Sequence, residues 1–394
     1  MTELAPDKLV TPEIRAALVA ARACAPITRK GGVGKTYSAA QLMGMAARAG
    51  MKVLGVELDS QDTLGLSLGL RDKNRTRNEG DDGASLRTAL ITGTQPLVLR
   101  GVREYENGGR LDIIPSGESI DAALTALSVL GYAERTPYQA RLAEIIAPLA
   151  GEYNYDLIVF DCDPKQKVAR ELVYVAARYA WAPVDVDPSS YIDGVRAVGR
   201  ELKSLRALNP TLRFLGVLPF AVPFASIRAD LKARERAQNG EELPVTNHLA
   251  KMRTEVNDIL RTERVDPTAP DSELLFAEDH AYGLPVVFQS AIREGSIAAS
   301  RAREAGKLLF EVVAERQQLA AEREAGPSVQ ELLLRQAAGE DVSAELEAMR
   351  ARADALRALP GSAENMFLDY QPWFSEMLRL MLEVERAEQA GGSA

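Results

Sequence analysis

The chain has 394 residues, 46% hydrophobic and 26% charged, with 29 Gly, 20 Pro and two Cys, an ordinary composition that excludes disordered, collagen-like and disulfide-scaffold readings. Lys and Arg total 47 against 56 Asp and Glu, for a formal net charge of -9, so general attraction to nucleic acid or anionic lipid is excluded and any such binding must use a local basic patch. No apolar run approaches the roughly 20 residues of a membrane helix, no basic-then-apolar leader opens the chain, and Cys24, Cys162, His248 and His280 stand alone, which leads to the expectation of a cytoplasmic chain with neither zinc nor disulfides.

Thr11-Pro12-Glu13 reads as a helix start, an N-cap hydroxyl followed by Pro at the first helical position, and Ile14–Ala21 continues it. A strand is expected over Ala23–Thr28, shortened by Pro26, which cannot donate to a ladder. After Gly31–Thr36 comes a helix over Tyr37–Ala49, closed by Gly50, and then Lys52–Leu58, whose Val53-Leu54-Gly55-Val56 centre reads as a buried parallel strand. Asp72–Ser85 is polar and glycine-containing, hence a loop before a helix at Leu86–Thr92. Leu111–Pro115 is a short strand, Tyr138–Ala150 a helix, and Asp156–Phe160 a fully buried strand ending in Asp161. The alternation continues through Trp181–Val186, Asp193–Leu208, Phe214–Leu218 and Pro285–Phe288, which predicts an α/β fold with a doubly wound, mostly parallel sheet. Beyond Glu294 only helices are expected. Ala298–Arg323 reads as one long helix ended by Gly326-Pro327, and Ser328–Leu359 and Pro372–Gln389 as further helices separated by Pro360-Gly361. The expected organisation is an N-terminal helix over 1–22, an α/β domain over 23–320 and a helical extension over 321–394.

Lys30-Gly31-Gly32-Val33-Gly34-Lys35-Thr36 carries most of the functional information. Its glycines let backbone N–H groups curl around a phosphate at a helix N-terminus, Lys35 supplies positive charge to the β and γ oxygens, and the Thr36 hydroxyl can ligate Mg2+. The spacing departs from the standard Walker A pattern, with Lys30 directly before Gly31, and matches the deviant form. Between a strand and a helix, it predicts a nucleotide site. Asp59 and Asp161 both fall at the carboxyl ends of strands, where an open α/β sheet binds its ligand; a turn residue or helix N-cap is the competing reading of Asp59.

With these residues the sequence resembles the ParA/MinD family of deviant Walker A ATPases, and the ParA partition branch most closely, over residues 20–315. Glu57-Leu58-Asp59-Ser60-Gln61, Leu111–Gly117, Tyr155–Pro164 and Ala281–Val286 carry the resemblance beyond the glycine-rich loop. It implies an ATP and Mg2+ site in which Gly31, Gly32, Val33, Gly34 and Tyr37 complete the nucleotide loop around Lys35 and Thr36. Lys30 would reach across a nucleotide-sandwich homodimer to the partner's phosphates. Asp59 would orient the attacking water beside the metal, and Asp161 would hold Mg2+ through water.

Four places depart from the family pattern. Tyr37 stands for a second hydroxyl residue, so that a contact to the α-phosphate is lost or passes to Ser38. Glu57 stands for an aspartate, adding a methylene to a carboxylate near the metal. Ser60 replaces a proline, and Asp163-Pro164-Lys165 replaces Pro-Pro-Ser, bringing a negative charge towards Mg2+ that Lys165 can offset. Nucleotide binding should survive all four, and the hydrolysis rate is what they put at risk, because misplacing a water-orienting group costs more in rate than in affinity.

The resemblance further implies non-specific DNA binding through basic residues, here Arg261 and Arg264. Arg228, Lys232, Arg234 and Arg236 form a second basic group in which Arg228 and Lys232 share a helix face and Asp230 and Glu235 dilute it; a merely solvated surface is the competing reading of both groups. Trp373, Phe374, Met377, Leu378, Met381 and Leu382 make an apolar stripe at helical spacing. Glu376, Glu383, Glu385 and Glu388 outweigh Arg379 and Arg386 beside it, which argues against a membrane-surface helix and for packing on the α/β body, self-association or partner binding. The function implied is a dimerising switch, a slow and partner-stimulated ATP hydrolase that binds non-specific DNA and, with a ParB-like partner, segregates plasmid or chromosomal DNA in a nucleoid-associated setting. The alternative is a slow or inactive nucleotide-binding scaffold acting through its C-terminal helices, to which Glu57, Tyr37 and Asp163 point.

Overall fold

The computed structural model describes residues 9–28, 32, 34–71, 83–134, 138–238, 248–264 and 287–391. Apolar runs without polar alternation form strands covered on both faces, and such runs supply most of the sheet. Its strands are β1 (Cys24–Pro26), β2 (Lys52–Leu58), β3 (Leu99–Glu104), β4 (Arg110–Ile114), β5 (Leu157–Cys162), β6 (Tyr179–Asp185) and β7 (Arg213–Phe220), in the order β3-β4-β2-β5-β1-β6-β7. Every neighbouring pair is parallel except β3 with β4. The register of β2 on β5 sets Glu57 opposite Asp161 at the carboxyl edge. Because both strands lie in the middle of the sheet and are sealed on both faces, these two carboxyl groups start out dry.

One face of the sheet is covered by α1 (Pro12–Ala20), α4 (Ala84–Thr92), α5 (Ser119–Glu134), α6 (Arg141–Tyr153), α7 (Lys167–Ala176), α8 (Pro188–Arg206) and α10 (His248–Thr262). The other face holds α2 (Lys35–Arg48), α3 (Thr63–Ser67), α11 (Ser296–Glu304), α12 (Leu309–Ala325) and α15 (Ser362–Gly391). Helix α9 (Phe224–Gln238) follows β7, and α13 (Val329–Ala337) and α14 (Ser343–Ala358) lie between α12 and α15 in the chain. None of the described helices is long and apolar enough to cross a membrane.

Several elements differ from the sequence expectation for local reasons. Thr11 caps α1 as expected, its hydroxyl accepting from Ile14 N–H, but β1 is only three residues long. The expected helix over Ala298–Arg323 is two helices, α11 and α12, with the break at Gly306. There the backbone has φ +62°, and a Cβ would fall 2.4 Å from the Cα of Gly69, so the chain turns where only glycine fits. The expected Ser328–Leu359 helix is likewise divided, into α13 and α14. Pro372 lies inside α15 and does not start it. Of Pro285–Phe288, only Val287 and Phe288 are described, and Val287 makes an isolated bridge to Val217. Strand β3 escapes the sequence reading because Leu-Arg-Gly-Val-Arg-Glu has no apolar run; it is a half-exposed edge strand.

The apolar stripe of α15 packs on the body. Trp373, Met377, Leu380, Met381 and Val384 are wholly buried with α2 and the sheet, and Trp373 lies 6.0 Å from Trp181 of β6. The acidic residues beside the stripe fasten it: Glu385 to Arg22, Glu388 to Arg178 and Arg213, and Glu376 to the Gln289 and Ser290 N–H groups. Glu383 instead forms an exposed pair with Arg379 on the same helix. Trp373→Ala is therefore expected to cost about 3–5 kcal/mol in urea denaturation, whereas Glu383→Ala should stay within about 0.5 kcal/mol.

Candidate functional site

The turn from β1 into α2 is shaped by Gly34, the N-cap of α2, at φ +85°. A Cβ there would fall 2.2 Å from the ring of Phe220 at the end of β7, so both conformation and space require glycine. No side chain caps α2 and its first turn carries no acid, which leaves its leading N–H groups and the positive end of its dipole for a ligand. Of the loop itself Gly32 and Gly34 are described, while Lys30, Gly31 and Val33 lie outside the described residues.

A cavity of about 530 Å³ opens at this helix end. It brings together Gly32, Gly34, Lys35, Thr36 and Tyr37 with Asp59 from the end of β2 and Asp163 and Lys165 from the end of β5. Asp59 has both of its expected characters: its carboxylate accepts from Gln61 N–H at 2.9 Å, as a turn residue does, and it also lines the cavity. Burial raises its pKa, with Asp163 adding to the rise and the Gln61 N–H and Lys35 opposing it. Asp163 accepts from Lys165 N–H at 2.9 Å, so its carboxylate is turned into its own loop while still facing the cavity.

Asp161 is 1% exposed, and among the described residues neither of its carboxylate oxygens has a hydrogen-bond partner. Burial pushes its pKa up to about 6, against the pull of the nearby Thr36 hydroxyl and the Lys35 ammonium. A buried polar group without a partner calls for an explanation, and a divalent cation provides one: a dry carboxylate with two free oxygens beside a hydroxyl suits Mg2+, which favours one or two protein oxygens, phosphates and water. Among the described residues no group of three His, Cys, Asp or Glu is placed to hold a metal, so the ion would depend on Asp161, Thr36 and a bound phosphate.

Two departures in the sequence have structural causes. The carboxyl of Glu57 is spent on α3, accepting from Leu64 N–H at 2.9 Å and Gly65 N–H at 3.2 Å. It is wholly buried, and burial together with Asp62 and Asp161 raises its pKa. Glu57 thus caps a helix while lying opposite Asp161 in the sheet register. Ser38 does not take over a phosphate contact, because its hydroxyl is fully buried, donates to Lys35 C=O at 2.8 Å and accepts from Trp181 Nε1 at 3.3 Å. The Tyr37 ring meets Tyr370 of α15 edge-on at 6.2 Å, so the residue after Thr36 is aromatic because the C-terminal helix docks on it.

The rest of the cavity lining was not anticipated. It consists of Phe220 and Ala221, Arg293 and Gly295, Ala299 and Arg303 of α11, and Met366 of α15. Arg293 is held by the Asp369 carboxylate at 2.6 and 2.8 Å. These residues come from three separate stretches of the chain, 220–221, 293–303 and 366, and no motif joins them. The basic residues Arg228 and Lys232 lie on the exposed side of α9 and Arg264 is exposed after α10, all outside the cavity lining; the side chains of Arg261 and Arg234 lie outside the described residues. Asp230 does not dilute the α9 group, for it is buried and paired with Arg253 at 2.8 Å.

A family model described as an AAA domain matches residues 21–214. The chromosome partitioning protein ParA of Caulobacter vibrioides is 30% identical over 199 residues, 50% of this chain and 68% of that protein. The chromosome-partitioning ATPase Soj of Thermus thermophilus is 28% identical over 224 residues, 56% of this chain and 78% of that protein. Among solved structures, apo McdA of Cyanothece matches with a TM-score of 0.49 at 19% identity, covering 73% of this chain and 92% of that one.

An unpaired buried carboxylate destabilises the ligand-free chain once it ionises. The folded-state pKa of about 6 lies above the ordinary 3.8, so the cost is full above pH 6, fades as pH falls, and is absent where both states are protonated. Asp161→Asn should accordingly raise stability by about 1–3 kcal/mol at pH 8 without divalent cations and give no gain near pH 3.5, as read from denaturation midpoints at the two pH values.

Proposed function

Because the chain belongs to the ParA family of partition proteins, we propose that it is an ATP- and Mg2+-dependent dimerising switch that binds non-specific DNA and hydrolyses ATP to segregate or position it, with a ParB-like partner stimulating release. The observation that carries this reading is the meeting of an uncapped helix N-terminus, Lys35, Thr36 and Asp59 around one cavity, with the buried Asp161 behind Lys35 and Thr36. In phosphoryl transfer the protein mostly positions charge. The N–H groups of α2 and Lys35 bind the phosphates, Thr36 and Asp161 hold the metal, and Asp59 lies where it can orient a water. Mg2+, when bound, neutralises charge on the phosphate oxygens. The role of Lys30 in the partner's site rests on family likeness alone.

For DNA, Arg228 and Lys232 project from one exposed face of α9 with Asp230 withdrawn beneath them, and Arg264 adds a further exposed charge. Such a surface engages the phosphate backbone without reading sequence. The scaffold reading keeps one specific support, Glu57, whose carboxyl is committed to α3.

Lys35→Ala is expected to weaken ATP binding at least about 100-fold, since it removes a charge-assisted phosphate contact and leaves a dry cavity. Asp59→Ala should leave ATP affinity within about threefold and lower turnover by about 10- to 100-fold. In gel shifts with ATP, ADP or no nucleotide, DNA binding should require ATP and weaken with salt. The combined change of Arg228, Lys232 and Arg264 to Glu should abolish binding at moderate salt, and single changes should reduce the slope of log affinity on log salt by about 1. ATP binding without DNA binding would pass the lead to the scaffold.

A further inference from the structure

Two residues on the cavity lining, Tyr37 and Arg303, carry polar groups to which the structure gives no protein task. The Tyr37 hydroxyl is buried and has no hydrogen-bond partner among the described residues, although a buried phenol O–H ordinarily finds one. Arg303 lines the same cavity and makes no ion pair or side-chain hydrogen bond with the described residues. In this it differs from Arg293 beside it, which Asp369 neutralises.

Both groups are held in place from outside the loop. The Tyr37 ring is pressed edge-on against Tyr370, which is itself 5.7 Å from Trp373, so the phenol cannot swing away to water. Arg303 is carried on α11, whose end is set by the contact of Gly306 with Gly69 after α3; Ala299, one turn earlier on the same face, also lines the cavity. The positive charge of Arg303 is felt at the Tyr37 hydroxyl, which puts the two groups in one neighbourhood. A guanidinium and an O–H donor, both without a partner among the described residues and both on the lining of one half-enclosed cavity, ask for an anionic oxygen acceptor.

We propose that Arg303 and Tyr37 form a second anion-binding arm of this cavity, gripping the polyphosphate of a nucleoside di- or triphosphate alongside Lys35. The arm rests on the nucleotide reading of the cavity. A phosphate oxygen lying on the first turn of α2 is adjacent to Tyr37 by sequence position, and Arg303 completes the enclosure from α11. Arg303 also adds a cation to a lining that carries Asp59, Asp163 and Glu294 against Lys35, Lys165 and the Asp369-paired Arg293, where binding a polyanion needs further positive charge.

The test is titration of the full chain with MANT-ATP in Mg2+, and competition of MANT-ATP by pyrophosphate, for Arg303→Ala, Arg303→Lys and Tyr37→Phe. Arg303→Ala should bind MANT-ATP about 10- to 100-fold more weakly and Tyr37→Phe about 3- to 10-fold more weakly, with pyrophosphate affinity falling by the same factors. Arg303→Lys should recover part of the loss, since it keeps the charge and loses the fork. The ligand-free melting temperature of Tyr37→Phe should not fall, because the oxygen removed bonds to nothing. Wild-type affinity in both Arg303→Ala and Tyr37→Phe overturns the proposal, as does a loss for MANT-ATP with none for pyrophosphate, which would place the contact on the sugar or base. If Arg303→Ala fails to fold, Arg303→Lys and Tyr37→Phe decide by the same criterion. Lys35→Ala separates the two levels: if it binds MANT-ATP normally, the nucleotide reading itself fails, and if it alone loses binding, only the second arm does.

Discussion

Helix α2 is buried around its whole circumference from Tyr37 to Ala47, and much else follows from that constraint. A helix sealed on one side by the sheet and on the other by α12 and α15 must be slim, and Ala39, Ala40, Gly44, Ala46 and Ala47 make it so. Its polar side chains are used internally: Ser38 bonds Lys35 C=O and Trp181, and the Gln41 carbonyl accepts from Leu309 N–H at the start of α12. Only the first turn is left to face the cavity. Rigid burial therefore aims the helix N-terminus, because a helix packed on every side cannot tilt to lose its alignment with a ligand.

The electrostatics of the carboxyl edge follow from the same dryness. Parallel register sets Glu57 beside Asp161, and Asp62 adds a third carboxyl close to Glu57. Asp62 is neutralised by Arg71 at 2.9 Å, both of them buried, and Glu57 is occupied by the two N–H groups of α3. Asp161 is left as the carboxyl with no protein donor of its own. The segment from Asp59 to Ser67 is thus braced from beneath by Glu57 and Arg71, while the Asp59 side chain remains at the surface of the cavity.

The C-terminal helices belong to the site as much as the loop does. Helix α15 touches the cavity through Met366, braces Tyr37 through Tyr370, and holds Arg293 through Asp369. A buried apolar stripe supplies the bulk of that docking. The ion pairs of Glu385 and Glu388 with Arg22, Arg178 and Arg213 set its register over three separate segments of the body. The cavity lining and α15 are joined through one residue, since Tyr37 lines the cavity and packs on Tyr370.

How far the sequence alone could be read depends on how local each feature is. The sheet and the loop were legible, because Val53–Val56 and Leu157–Phe160 are continuous apolar runs and Gly31–Thr36 is a contiguous motif whose chemistry lies in its own residues. Asp59 and Asp161 were legible as strand ends for the same reason. The partners of Glu57, Ser38 and Asp230 were not legible, since sequence spacing does not reveal the α3 N–H groups, Trp181 and Arg253. The break at Gly306 was invisible because its cause is the backbone of Gly69, over 200 residues away. The apolar stripe of α15 and its acidic neighbours were visible as a pattern, but which surface the stripe covers and which arginines the acids meet depend on how the chain closes in space. Periodicity and motif are properties of neighbouring residues and so are written in the chain; the wall of the cavity, with Phe220, Arg293, Arg303 and Met366, exists only once distant segments have packed together.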